Sequence, residues 1–154
     1  MNSFMDSAIE EARIGVRAGD GGPFGAVVVR DGQIVARAHN EVLLTNDPTA
    51  HAEVVAIRKA TAKLKTFDLS GCEIYSSCEP CPMCFAAIHW ARISKLFYAG
   101  TKDDAAAAGF DDSYLYEVIR GTADHESVES TPIDREKVLP LFDEWRRIEG
   151  KRTY

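Results

Sequence analysis

An α/β fold, built as a three-layer helix-sheet-helix domain, follows from three features of the chain. A helical stretch opens it, a β-hairpin signal comes next, and short β-rich runs then alternate with helical ones to the end. At 154 residues the chain forms one domain, residues 1–154, large enough to bury a core without disulfide staples.

Each element has its own reason. Over residues 2–18, Phe4, Met5, Ala8, Ile9, Ala12 and Val16 recur at helical spacing, and the run Gly19 to Gly22 ends the helix. Ala26-Val27-Val28-Val29 and Ile34-Val35-Ala36 are strand-forming runs around Asp31-Gly32, a strong hairpin turn. Asp47-Pro48-Thr49 supplies cap and turn chemistry before a helix over 51–64. Ile74-Tyr75 reads as a strand, Pro82 starts a helix running to about Arg92, and Leu96-Phe97-Tyr98-Ala99 is another strand. Further on, residues 113–120 are expected as helix, 126–130 as a short strand and 135–149 as a closing helix.

Composition narrows the function. The apolar fraction of 45% and charged fraction of 27% are ordinary for a soluble globular protein. No apolar run approaches the length of a membrane span, and Met1-Asn2-Ser3-Phe4-Met5-Asp6 lacks the basic and apolar character of a signal sequence. A net charge of −6 argues against a nucleic-acid partner, because phosphate binding leaves a basic footprint. The one basic cluster, Arg146-Arg147 with Lys151-Arg152, reads as a solvated helix face. Thiolates that must stay reduced to bind a metal suit the cytoplasm.

The chemistry is concentrated in His51-Ala52-Glu53 and Pro80-Cys81-Pro82-Met83-Cys84. One neutral imidazole and two thiolates can hold Zn²⁺ at three corners of a tetrahedron and leave the fourth for water, as a catalytic site requires. Glu53, two residues beyond the histidine, can take a proton from that water and hand it to a departing amine. With His51 opening one helix and Cys81–Cys84 the next, orphan N–H groups and the positive dipole ends favour thiolates and developing negative charge. Two other readings use the cysteines alone. Cys78, Cys81 and Cys84 begin a ferredoxin-like run, but Ile88 stands where a further cysteine would be needed. A structural zinc on Cys72, Cys78, Cys81 and Cys84 is the second, although such sites normally use two well-separated pairs. Neither gives His51-Ala52-Glu53 any task, and Cys72 reads as a buried strand residue.

The two motifs together resemble the H-x-E…P-C-x-x-C pattern of zinc-dependent nucleobase deaminases, the cytidine-deaminase superfamily. Gly21 to Val29, Asn46 to Glu53, Ser77 to Cys84 and Ala108 to Ser113 carry the likeness, which runs from the first helix to the last residue. Phe110-Asp111-Asp112 and the terminal Tyr154 are narrower, and are similar to the bacterial guanine deaminases and the related plant guanosine deaminase. The resemblance implies a cytidine-deaminase-like fold with a mixed central sheet, a hydrolase of purine metabolism and a homodimer with an exchanged C-terminal segment. It implies zinc on His51, Cys81 and Cys84, with Glu53 as proton shuttle. It places Asn40, Phe24, Trp90 and Tyr154 against the purine, Tyr154 in the neighbour's site, and Asp112 as a second acidic group of the chemistry. Plainer roles stand beside these: core packing for Phe24 and Trp90, turn stabilisation for Asn40, helix capping for Asp111 or Asp112.

Guanine deamination to xanthine and ammonia is the expected activity. Guanine offers N1–H, N3 and O6 as fixed hydrogen-bonding groups, which an amide such as Asn40 can match. The rivals are a guanosine deaminase, an adenosine deaminase acting on transfer RNA, and a non-catalytic zinc-stabilised interaction module, in which Glu53 and an open metal position would have no purpose.

Overall fold

The computed structural model describes residues 3–123 and 127–154. In chain order the elements are α1 (Ser3–Ala18), β1 (Gly25–Arg30), β2 (Gln33–His39), α2 (Val42–Thr45), α3 (Ala52–Leu64), β3 (Cys72–Cys78), α4 (Pro82–Trp90), β4 (Lys95–Gly100), α5 (Lys102–Ala107), α6 (Ser113–Arg120) and α7 (Arg135–Arg147).

The hairpin forms where the sequence places it. Asp31 and Gly32 both take positive φ, 51° and 73°, as a two-residue turn matched to strand twist demands. The four strands lie in the order β2-β1-β3-β4, with β1 antiparallel to both neighbours and β3 parallel to β4 across the α4 crossover. The sheet is therefore mixed, as expected.

Strand β1 is buried on both faces, which explains its unbroken apolar run. Val27 and Val29 pack with Ala8 and Tyr75 beneath Phe4 and Met5 of α1. Ala26 and Val28 face the opposite way, into a core with Val55, Ala56 and Ala60 of α3 and Ile88 of α4. One helix on one face and two on the other make the three layers.

Three differences from expectation have physical reasons. Strand β3 runs over Cys72–Cys78, well beyond Ile74-Tyr75, because its polar end stays paired while leaving the core for the site. Helices α2 and α5 have no counterpart in the sequence reading: four and six residues are too short to display a helical period. The strand expected over 126–130 is absent from Ser127–Ser130, which are exposed and unpaired with any strand; Glu126 lies outside the described residues. Among the described residues no helix is long and apolar enough to cross a membrane.

Candidate active site

His51 is the N-cap residue of α3 and Cys81 that of α4, and neither side chain caps its helix. Both side chains are thus left to face each other across the C-terminal end of β3. Cys84 sits in the first turn of α4, brought round by the helix beginning at Pro82. The thiols of Cys81 and Cys84 each lie 3.5 Å from His51 Nδ1. The three ligand atoms fall within 4.8 Å of one another, and no other such cluster of metal-binding side chains exists among the described residues.

The electrostatics of this triangle favour a dication. Hydrogen bonding from Cys84, helped by His51, pulls the Cys81 thiol down to about 4 despite its burial. The same bond to Cys81, together with burial and the nearby Glu53 charge, pushes the Cys84 thiol up. His51 is raised, chiefly by its hydrogen bond to Cys81. Ionisation of one thiol thus opposes that of the other, a conflict that a bound cation relieves. One imidazole and two thiols form a donor set suited to zinc, and they fit it.

Glu53, the next residue but one after His51, is only 5% exposed. The Ser76 hydroxyl donates to its Oε1 at 2.9 Å. Burial is the largest influence on its carboxyl and raises its pKa, with hydrogen bonds from its surroundings partly offsetting that. A carboxyl held in this way is suited to taking and giving back a proton.

The cavity in front of these groups has a volume of about 570 Å³, within the size range of small-molecule sites. His51, Glu53 and Cys81 share its wall with Asn40, Phe24 and Asp112. Backbone bonds tie these residues together: Asn40 N–H donates to the Phe24 carbonyl, and Glu41 N–H to the carbonyl of Ala50, which precedes His51. Asn40 stabilises a turn, its Oδ1 accepting from Val42 N–H at 3.1 Å, and the residue also lines the cavity. Asp111 and Asp112 both line the cavity. Asp111 also accepts from the Ser113 N–H and hydroxyl at the start of α6, whereas Asp112 makes no capping bond. Partial burial, then the negative field of Cys81, raises the Asp112 carboxyl.

Trp90 and Tyr154 are not brought into this cavity by their own chain. Trp90 is 65% exposed, so it is not a core residue either. Its ring lies 6.0 Å from that of Tyr154, in a separate shallow depression with His89 and Arg92. Cys78 lines the cavity but stands apart from the ligand triangle, its thiol directed to the Thr101 carbonyl, and Cys72 is buried in β3. The four-cysteine arrangement is therefore not built.

Other cavity residues lie inside the motif stretches, as Phe110, Glu79, Gly21 and Gly22 do, or outside them, as Lys102 does, and the motifs assign none of them a place in the site. Phe110 meets Phe24 edge-on, with centroids 4.9 Å apart. Lys102 and Glu79 also line the wall. Gly21 and Gly22 are required by close approach: a Cβ on Gly21 would lie 2.1 Å from Asn40 Oδ1, and one on Gly22 about 3.0 Å from the Phe24 ring.

Two thiols and an imidazole at helix starts, backed by a buried carboxyl in a small-molecule cavity, define a zinc-dependent hydrolytic enzyme. Residues 1–100 match the family described as the cytidine and deoxycytidylate deaminase zinc-binding region, and the chain belongs to that family. It is 48% identical over 152 residues to the guanine deaminase of Bacillus subtilis, covering 99% of this chain and 97% of that one. The X-ray structure of the same guanine deaminase superposes with a TM-score of 0.94, covering 100% of this chain and 99% of that one. A guanine deaminase structure from Nitrosomonas europaea follows at 39% identity and TM-score 0.68, covering 71% and 64%. The tRNA-specific adenosine deaminase of Aquifex aeolicus is 43% identical over 96 residues, 62% of this chain and 63% of that one.

Proposed function

We propose that this protein is a zinc-dependent aminohydrolase that converts guanine to xanthine and ammonia. The observation that carries the reading is the union of the His51-Cys81-Cys84 triangle with Asn40, Phe24 and Asp112 in one cavity, in a chain resembling a guanine deaminase over 99% of its length.

His51, Cys81 and Cys84 would hold zinc, which when bound would supply Lewis acidity to a water. Glu53 would take a proton from the attacking water and pass it to the amino group leaving C2, with the Ser76 hydroxyl holding its carboxyl at Oε1. Asn40 hydrogen-bonds the purine edge, and the crossed rings of Phe24 and Phe110 form an apolar wall for the base. Asp112 closes the polar side of the ring. Residues 1–154 act as one unit in this reading, with residues between Gly21 and Asp112 sharing a single cavity.

The active form in this reading is a homodimer with exchanged C-terminal segments. Val138, Leu141, Phe142, Trp145 and Ile148 make an apolar stripe at helical spacing along α7, and every one is exposed within the single chain. Trp90 and Tyr154 stand together and away from their own zinc cavity, as a pair reaching a neighbour's site would. The reduced thiols suit the cytoplasm.

Transfer RNA is disfavoured as substrate by the charge of −6 and by a likeness to tRNA-specific deaminases that covers only 62–69% of the chain. Ammonia release from guanine, guanosine, adenine, cytosine and a transfer RNA separates the alternatives. Guanine is expected to react. Release from guanosine alone would move the reading to the nucleoside, and release from transfer RNA alone would overturn it.

A further inference from the structure

Helix α6 carries the cavity carboxylate Asp112 at its start, yet none of its residues is buried. Apolar packing on the sheet therefore does not settle where Asp112 stands. Its neighbours supply two anchors. Upstream, Phe110 rests against Phe24. Downstream, Tyr116 lies one helical turn beyond Asp112, on the same face, and its hydroxyl donates to the Pro80 carbonyl at 3.1 Å.

Pro80 directly precedes the metal ligand Cys81. Its own segment is rigidly held: Glu79 N–H donates to the Gly100 carbonyl at 2.8 Å, and Glu79 Oε2 accepts from Lys102 N–H at 3.0 Å. The Tyr116 ring is flanked by two cations, with Lys102 Nζ 5.3 Å and Arg120 Cζ 5.8 Å from its centroid. The phenol is thus oriented by its ring and joined at its hydroxyl to the loop that presents Cys81.

We infer that Tyr116 is a positioning residue for deamination, its hydrogen bond to Pro80 setting the place of Asp112 relative to the zinc ligands. The inference rests on the reading of Asp112 as a residue that contacts the purine. Tyr116 itself touches neither the cavity's reacting groups nor the ligand triangle. It acts through Asp112, and misplacement of a reacting group by about 1 Å can cost on the order of 10²-fold in rate.

Three variants test this: Tyr116→Phe, Asp112→Asn and the double substitution. Each is assayed on guanine for kcat and KM, with zinc content and Tm measured alongside. Tyr116→Phe keeps the ring between its cations and removes only the hydroxyl. It is expected to retain zinc and Tm while losing about tenfold or more in kcat, with KM little changed. The double variant is expected to be no slower than Asp112→Asn alone, because both act through one group. Wild-type kcat in Tyr116→Phe beside a slow Asp112→Asn would overturn the inference and leave the reading of Asp112 intact. So would a Tyr116→Phe loss that multiplies in full with that of Asp112→Asn, or one accompanied by lost zinc. A wild-type rate in Asp112→Asn would remove the reading of Asp112 and the inference with it.

Discussion

Glu53 shows how one side chain joins sequence, burial and chemistry. It follows His51 so closely that its backbone is fixed by the same helix start, and the chain turns its carboxyl inward, where its own backbone N–H, the Ser76 hydroxyl and Cys84 compensate it. A buried acid without a metal duty is costly to keep, and the proposed function gives it proton transfer as its use. Glu53→Gln is isosteric and leaves the three ligands untouched. It is expected to bind zinc as wild type does and to lose about 10²–10⁴-fold in kcat on guanine, read from ammonia release beside metal analysis. Turnover close to wild type would remove Glu53 from the mechanism. Asp111 and Asp112 make a related point. Adjacent in sequence and identical in chemistry, they are separated only by geometry, since Asp111 bonds Ser113 and Asp112 does not cap.

The elements that hold these residues stay in place through local turns. Between α3 and β3, Asp68 accepts from the Ser70 hydroxyl and N–H and from Arg92, and these bonds pull its carboxyl down to about 2. A carboxyl lowered from an ordinary 3.8 stabilises the fold at pH values above that figure, and the contribution fades as pH falls towards 2. Asp68→Asn is therefore expected to have a lower Tm than wild type at pH 7. The gap should narrow as both are scanned from pH 4 towards pH 2; a gap independent of pH would mean the charge is not involved.

The same elements show what the chain discloses by itself. The hairpin, α1, α3 and the start of α4 were legible because periodicity, Asp31-Gly32 and Pro82 are local signals. So were the ligands, whose spacing lies within two short motifs. Strand β3 was read short because its site end is polar, Ser76-Ser77-Cys78, and loses the apolar pattern where it begins to serve chemistry. Phe110, Glu79 and Gly21 lie in motif stretches that mark the family but not the place of each residue, and Lys102 reaches the cavity through tertiary packing, for which no local pattern exists. Trp90 looks like core in sequence, within a largely apolar helix, and only the fold turns it outward.

The C-terminal third has a different character from the rest. Strands β1 and β3 and one face each of α1, α3 and α4 pack into the core, while α7 has no buried residue and leaves Leu141, Phe142 and Trp145 in solvent. A stripe of that kind needs a partner, and exchange between two copies would cover it and carry Tyr154 to the neighbour's cavity. Sedimentation is expected to give a dimer for wild type and a shift to monomer for Phe142→Glu. Removal of Tyr154 is expected to leave zinc bound and to lower kcat/KM on guanine by on the order of tenfold, about 1.4 kcal/mol. Unchanged kinetics in the truncated chain would make Tyr154 an ordinary surface terminus. The decisive experiment joins metal to reaction: zinc content and xanthine formation from guanine, measured together for wild type and Cys84→Ala. The wild type should hold about one zinc per chain and release xanthine and ammonia in equal amounts, and Cys84→Ala should lose both the metal and the activity. A wild type fully loaded with zinc that leaves guanine unchanged would contradict the assignment, as would a Cys84→Ala variant that keeps its zinc and its turnover.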